Sequence, residues 1–286
     1  IRALSTAGAS VITDDVLYAN EPMFQDGLNA QAAIDVVRNA DRVYTSAFFN
    51  GAASGFNSAF RVTTANVTGV GNGQFMDFDP GSPVVSTLPF NLTSPAAFLS
   101  FQWDNPFDGV AGQATSNLDI FILDTNNAVV ASGTTNNIAT GQPIEVLNVG
   151  GLQPGSYRVA IQLVSGPAVG RVQFSAPLAD LTVDPNATLS SRAGISFPSG
   201  YGLRSANEVI GTGAVDFFDA PPYSNPNPLR SSPFSSFGPA TIVFNADGTR
   251  KPTVEIRNKP DMSAPQAGNT SFFGGDIPQD PDTLPN

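Results

Sequence analysis

The residues best suited to chemistry in this 286-residue sequence are carboxylates in a region rich in β-strand signals. Asp104, Asp108 and Asp119 lie in predicted loops and at predicted strand ends. Calcium takes about six to eight oxygen ligands in a flexible geometry, so scattered loop carboxylates can hold it. The spacing is not that of an EF-hand, and solvated carboxylates or Asx turns give the same pattern. Calcium binding by these three residues and plain turn formation are therefore two open interpretations.

Two residue types that often serve in catalysis and metal binding are missing. The sequence contains no histidine and no cysteine. This chain alone therefore cannot build a complete Ser-His-Asp arrangement, a cysteine nucleophile, a disulfide or a histidine or thiolate zinc site. The composition instead leaves carboxylates, amides and hydroxyls as the polar groups of any site.

Charge and hydropathy exclude further classes of function. Lys and Arg number 13 against 24 Asp and Glu, which gives a net charge of −11. No basic surface is available to bind a phosphate backbone, so nucleic acid is not expected as a partner. No apolar stretch approaches the ~18–20 residues of a membrane span.

The acidic, cysteine-free composition is typical of bacterial exported proteins, and we expect an extracellular or cell-surface location. The start at Ile1, without a signal peptide, suggests a processed piece or a fragment.

The elements that must position these groups fall into three regions. Residues 1–62 alternate strand and helix signals, with strands at Val11-Ile12 and 43–47 on either side of a helix over roughly 27–40. Strand, helix and strand at this spacing predict a parallel βαβ unit. The apolar stripe of the helix is predicted at Leu28, Ala32, Ala33, Ile34 and Val37. Residues 179–286 return to this mixed character, with a glycine-containing buried strand at 209–215 and a hairpin turn at 245–248.

The middle region, residues 63–178, shows only short β-rich runs between turn signals. In the run 118–123, Asp119 and Phe121 face away from Ile120 and Ile122. Runs of this length, spaced about 10–15 residues apart, predict an antiparallel β-sandwich. We therefore predict an α/β parallel-sheet core, incomplete and divided into two halves, with an all-β antiparallel sandwich inserted between them.

Three sequence segments in the last region occur in the same order as three segments of a known family. They are the run Val209–Asp216, the segment Phe234–Pro239 and the stretch Lys259–Pro265. They resemble the "VIAVGAVD", "FSSxGP" and "KPDIxAPG" segments of subtilisin-like serine peptidases. The middle region is similar to the β-sandwich of the pre-peptidase C-terminal type, through Gln102–Phe107 and Leu118–Asp124. The resemblance implies a subtilisin-like core over 1–62 and 179–286.

The resemblance also implies where a peptidase site would lie. Asn50 matches the Asn of the "AAGN" segment, which would donate its amide to an oxyanion. Asp15, Val16 and Leu17 match the strand that flanks an extended substrate. Phe48 and Phe49 replace the tight glycine before the Asn, and the segments with the triad Asp, His and Ser are not found. Phenylalanine tolerates a positive φ poorly, so the site is expected to be degenerate.

Two functional hypotheses follow. In the first, the chain is the central segment of an exported subtilisin-like endopeptidase that acts on polypeptides and is inactive on its own. In the second, it is a non-catalytic extracellular structural, binding or assembly protein that uses the β-sandwich, whose edge strands would dock a partner. Both hypotheses predict that other chains cover the incomplete parallel-sheet core, because a large exposed apolar sheet surface marks a site of contact with a partner.

Overall fold

The structure is a computed structural model that describes residues 1–94, 98–107, 113–176, 180–183, 189–222, 224 and 228–268. Within these residues the chain is mostly β-strand, arranged in four sheets, one of them wholly parallel. The described helices are α1 (Arg2–Thr6), α2 (Leu28–Ala40) and α3 (Asn137–Thr140), with short 3₁₀ turns at Gly202–Ser205 and Phe217–Asp219.

The parallel sheet has four strands, and their order in space is their order along the chain. All three neighbouring pairs are parallel. Right-handed crossovers in one direction place every connection on the same face. Helix α2 follows this rule, because Ala33 and Val36 pack with Ile12 and Tyr44. The strands are β1 (Val11–Asp14), β2 (Val43–Ala47), β14 (Ile210–Asp216) and β17 (Met262–Gln266).

The buried stripe of α2 differs from the predicted one at its start. Ala30, Ala33 and Val36 recur at helical spacing and face the sheet, whereas Leu28 is 75% exposed. Leu28 is the first residue of the helix and lies outside the spacing of Ala30, Ala33 and Val36, so its side chain is directed to solvent. The prediction that Leu28 belongs to the stripe is wrong, although the helix itself and its end are confirmed.

Two antiparallel sheets pack face to face in the middle of the chain. The first sheet contains β3 (Gly55–Ala59), β7 (Phe98–Trp103), β10 (Ile144–Asn148) and β12 (Arg171–Ser175). Its strands lie in the order β10-β7-β12-β3. The second sheet contains β4 (Val62–Val67), β5 (Gly71–Met76), β6 (Leu88–Ser94), β8 (Asn117–Leu123), β9 (Val129–Gly133), β11 (Gly155–Ser165) and β13 (Asp180–Val183). Its strands lie in the order β13-β6-β11-β5-β4, with β8 paired to β11 and β9 to β8.

The core between these sheets explains the alternation seen in the sequence. Phe101 and Phe174 from the first sheet meet Ile120 and Ile161 from the second in one buried cluster. Trp103 belongs to the same cluster and is fully buried. Alternate residues of each strand therefore point inward, which is the pattern of two stacked sheets.

A two-stranded hairpin completes the described fold. It consists of β15 (Ala240–Phe244) and β16 (Arg250–Arg257), joined through the turn at Asn245–Gly248. Arg257 pairs with Asp26 at 2.7 Å and donates to the carbonyl of Ser205 at 3.1 Å. The hairpin is therefore bonded to the segment before α2 and to the 3₁₀ turn at Gly202–Ser205.

The sequence-based fold is confirmed only at a coarse level. Several sheets are present and one of them is parallel, as expected. The molecule is nevertheless mostly β, and the expected subtilisin-like α/β core is not established, because α2 is the one long helix among the described residues.

Candidate functional site

A crevice with a volume of about 500 Å³ lies at the carboxyl edge of the parallel sheet, and its lining includes residues of the sheet face opposite α2. Ligands of open α/β sheets bind outside the carboxyl ends of the strands, so this is the natural candidate site. Its lining includes Thr13, Asp14 and Asp15 of the first strand region, Thr45 to Asn50, Thr212 to Ala214, Phe234 and Ala264 to Gln266.

A buried arginine connects two segments at the edge of this crevice. The Arg204 guanidinium is almost fully buried and donates to the carbonyl of Ala47 at 2.5 Å and to that of Val16. It also lies 3.6 Å from the centre of the Phe49 ring. One side chain therefore joins the end of β2 to the segment that follows β1, and both segments line or border the crevice.

The charge of Arg204 is balanced by a buried carboxylate. Burial lowers the pKa of Arg204, while the nearby Glu21 opposes that shift. Burial raises the pKa of Glu21, and Arg204 is the strongest group acting against this. The Glu21 carboxylate accepts hydrogen bonds from the Asn29 amide at 3.1 Å and from the backbone N–H of Leu203 at 3.2 Å. The two terminal nitrogens of Arg204 and the Glu21 carboxylate bond to protein groups, whereas Arg204 Nε is buried without a partner among the described residues.

Phe49 adopts a backbone conformation that bulky residues rarely occupy. Its φ is +65°. Its ring is held in a buried cluster with Met23 and Phe24, makes an edge contact with Tyr201, and lies under Arg204. Such strain persists only where the surroundings determine the conformation. A positive φ is energetically unfavourable for a phenylalanine, as the sequence analysis states, but the packing of the Phe49 ring stabilises this conformation here.

The acidic end of the crevice carries a hydrogen-bonded carboxylate. Asp14 accepts from the Ser46 hydroxyl at 2.9 Å, and its second oxygen is buried without a partner among the described residues. Tyr44 lies next to it, and burial, followed by the proximity of Asp14, raises the pKa of Tyr44. Ser46 therefore holds the Asp14 carboxylate on the strand face that Ile12 and Tyr44 share.

The structure brings two of the four predicted peptide-site residues, Asn50 and Asp15, to the lining of this crevice. Asn50 is exposed and lines it, as does Asp15. Val16 is 44% exposed beside it, whereas Leu17 packs against the Phe49 cluster. Their roles in oxyanion or substrate binding stay predictions. The buried Arg204 and Glu21 had no sequence signal, because neither lies in a periodic run.

Asp104, one of the three predicted calcium ligands, is engaged with donors of the protein. Asp104 accepts from the backbone N–H groups of Gly170 and Arg171 at 2.8 and 3.1 Å and pairs with Arg250 at 3.0 Å. Its oxygens are therefore directed at donors, which does not fit a calcium ligand. Asp119 lies on the opposite side of β8 from the sandwich core, and Asp108 lies outside the described residues. The described part of the chain holds no cluster of three or more acidic side chains suited to a metal.

A search of the described residues for a helix long and apolar enough to cross a membrane finds none. No protein-family model matches the sequence, and no curated protein matches it. Among solved structures, the chain is similar to the CspB protease of Clostridium perfringens, at 11% identity and a TM-score of 0.43. The match covers 92% of this chain and 49% of that one, so the chain spans about half of that structure's length.

These comparisons correct the sequence-based resemblance. Three short phrases suggested a subtilisin-like serine peptidase, yet no family model matches, and the structural likeness is too distant to carry an argument. Short glycine- and proline-rich phrases recur in unrelated parallel sheets, because close strand packing and turns require them. The assignment to the subtilisin-like family is therefore wrong, and function must be argued from the site itself.

Proposed function

We propose that this chain is a non-catalytic extracellular binding or assembly protein that docks another polypeptide. The observation that carries the proposal is the parallel sheet, which the described residues cover on one face only. Val11 is 63% exposed, and Val43 and Met262 are nearly half exposed, all on the face opposite α2. Parallel sheets are ordinarily covered on both faces, so this face is suited to contact with a partner.

The register of the strands supports a continuous docking surface. Val11 lies beside Val43, Thr13 beside Thr45, and Ala214 beside Ala264. Thr212 is adjacent to both Ala47 and Met262. Side chains of paired residues in a parallel ladder share a face, so these rows form one strip from the amino to the carboxyl end of the sheet. The strip leads into the crevice lined by Asp14 and Asp15.

The polar groups of the crevice favour binding over catalysis. Ser46 is engaged with Asp14, and the sequence supplies no histidine to activate a nucleophile and no cysteine to serve as one. Arg204 and Glu21 are buried and bond to the protein. The lining of the crevice presents hydroxyl, methyl, carboxylate, amide and aromatic groups.

The β-sandwich offers a second candidate docking surface. Its edge strand β9 exposes Val129 and Val130, each at 40%. β9 pairs with β8 along one side. Exposed apolar side chains on an edge strand favour pairing with another chain.

Site-specific photo-crosslinking tests the proposal. Because the chain has no cysteine, Thr212→Cys carries a benzophenone on the open face, and Thr64→Cys on β4 is the matched control. Both proteins are exposed to the extracellular proteins of the source organism. We expect a discrete crosslinked polypeptide from position 212 that is absent from position 64. Identical patterns from the two positions, or hydrolysis of a peptide mixture by the purified chain, would refute the proposal.

A further inference from the structure

We propose that residues 15–20 form a strap that opens locally at the edge of the crevice, while the parallel sheet and α2 stay folded. When the strap is closed, Leu17 covers a buried apolar cluster; when it is open, that cluster is accessible from the crevice. The opening itself is a property of the fold. Its use, to admit an apolar side chain of a partner, rests on the proposed binding function.

The strap has few attachments to the rest of the protein. It lies in an irregular segment, and each of its residues is exposed or only partly buried. Two side chains hold it: Arg204 donates to the carbonyl of Val16, and the Tyr201 hydroxyl donates to the carbonyl of Ala19 at 3.3 Å. Its other hydrogen bonds among the described residues join it to its immediate neighbours in the sequence, at 3.4 and 3.5 Å. Segments of this kind open at a lower free energy than the whole molecule.

The two ends of the strap are attached more firmly than its middle. At one end, β1 is paired with β2 along its whole length. At the other end, the carbonyl of Glu21 accepts from the Gln102 amide at 2.7 Å, and the Glu21 carboxylate accepts from the N–H of Leu203 at 3.2 Å. Asn20 is exposed, whereas Glu21 is 5% exposed. The strap can therefore lift from the surface while both of its ends stay in place.

Leu17 is the apolar side chain through which the strap covers the protein. It is partly buried and packs against the Phe49 cluster, in which Met23 and Tyr201 are also buried. Phe49 in turn lines the crevice. The apolar surface that Leu17 leaves on opening is therefore continuous with the crevice, and an apolar side chain of a partner has the chemistry to replace Leu17 there.

Arg204 is the side chain that fastens the strap to the crevice wall. Its guanidinium donates to Val16 and to the carbonyl of Ala47 at 2.5 Å, and it lies 3.6 Å from the centre of the Phe49 ring. A planar guanidinium can hold two carbonyls and stack on a ring at the same time, which an ammonium group cannot do. The same contact supports the left-handed conformation of Phe49, which persists only while its surroundings hold it.

Oxidation of the native methionines measures the opening. Hydrogen peroxide transfers one oxygen atom to the sulfur of an accessible Met and leaves water, and mass spectrometry counts the sulfoxide. Met23 belongs to the Phe49 cluster, whereas Met76 is buried in the core of the sandwich. Free methionine in the same solution gives the unprotected rate. We expect Met23 to oxidise at least about tenfold more slowly than free methionine and at least about tenfold faster than Met76.

Variants of the chain assign the opening to the strap. Leu17→Ala uncovers the cluster and should speed Met23 oxidation about fivefold, whereas Val16→Ala, at an exposed side chain, should change it less than about twofold. Arg204→Lys keeps a positive charge beside Glu21 but loses the fork, and should speed Met23 oxidation about tenfold. Met76 is the internal control in every variant, because global destabilisation would speed its oxidation as well.

Three outcomes would overturn the inference. Equal rates for Met23 and Met76 would show that the cluster opens only when the molecule unfolds, and unchanged Met23 oxidation in Leu17→Ala would show that Leu17 does not cover it. The N–H groups of Val243 and Phe244 donate to the carbonyl of Phe24 at 2.8 and 3.0 Å. Loss of their hydrogen-exchange protection in parallel with Met23 oxidation would assign the opening to the hairpin. These measurements use the chain alone, so failure of the crosslinking test at position 212 would refute the proposed function and leave the strap standing.

Discussion

Asp119 shows how one strand face decides the properties of a single carboxylate. The alternation of the run 118–123 predicts that it points away from the core, and the structure places Ile120 and Ile122 in the core as expected. One Asp119 oxygen is nevertheless buried without a partner among the described residues. Burial raises the pKa of Asp119 from 3.8 to about 6. Alternation predicts a direction, but it does not show how far a neighbouring strand shields the group.

This raised pKa predicts a pH-dependent effect of Asp119→Asn. The folded state holds the proton more tightly than the unfolded state, so stability decreases as pH rises from about 4 to about 6. Asn removes the buried charge, and after allowance for solvent screening we expect a gain of about 1 kcal/mol at pH 7.5. At pH 4 the gain should vanish. Urea unfolding at both pH values measures the difference.

Asp124→Asn is the matched control, and its effect has the opposite sign. The Asp124 carboxylate accepts from the backbone N–H of Ala128 and of Asn126, each at 2.8 Å, and these bonds lower its pKa. Its stabilising effect is present at neutral pH and lost as pH falls through the lowered pKa. Asp124→Asn should therefore destabilise the protein at pH 7.5 and less so at low pH. A gain at pH 7.5 from both variants would contradict this account.

At the scale of elements, the end of α2 combines two unfavourable features. Asp41 follows the helix with a φ of +53°, in the left-handed region. The backbone N–H of the next residue, Arg42, donates to the carbonyl of Val36 at 3.1 Å, which closes the helix. A left-handed residue after a helix is usually glycine, and an acidic side chain lies unfavourably at the negative end of the helix dipole.

Asp41→Gly should therefore stabilise the protein, by about 1 kcal/mol. Thermal and urea unfolding measure the gain. Asn39→Gly is the control, because it places glycine inside the last turn, where it should cost about 1 kcal/mol or less. A loss of stability with Asp41→Gly would show that the Asp41 side chain makes a favourable contact that outweighs its backbone strain.

Local patterns predicted the elements better than the site. The helix predicted over 27–40 is found at Leu28–Ala40, and the glycine-containing strand predicted at 209–215 at Ile210–Asp216. Both rest on short-range periodicity, which a single sequence displays. The edge of the crevice instead depends on Arg204, which donates hydrogen bonds to the carbonyls of Ala47 and Val16, each more than 150 residues away in the sequence. No periodic signal encodes such a contact, so the sequence could not reveal it.

At the scale of the whole molecule, a buried glutamine joins the sandwich to the parallel-sheet region. Gln102 on β7 is 1% exposed. Its amide donates to the carbonyl of Glu21 at 2.7 Å and its oxygen accepts from the N–H of Met23 at 2.8 Å. The pair Arg250–Asp104 adds a second link between the hairpin and the sandwich. The sequence patterns divide the chain into three regions but do not indicate which side chains form the contacts between them.

Gln102→Leu should loosen this connection more than it weakens the sandwich. The substitution leaves the Glu21 carbonyl and the Met23 N–H buried without partners, which costs about 1–3 kcal/mol for each group. Gln173→Leu is the control, because Gln173 is equally buried on β12 but bonds to Asn57 within the sandwich. We expect Gln102→Leu to split urea unfolding into two transitions, and Gln173→Leu to shift the sandwich transition alone. Hydrogen exchange should locate the early transition in the parallel-sheet region, whose open face leaves it with less buried area to hold it once the Gln102 contacts are lost. A single transition in both variants would mean that the remaining contacts, led by Arg250–Asp104, suffice to couple the two parts.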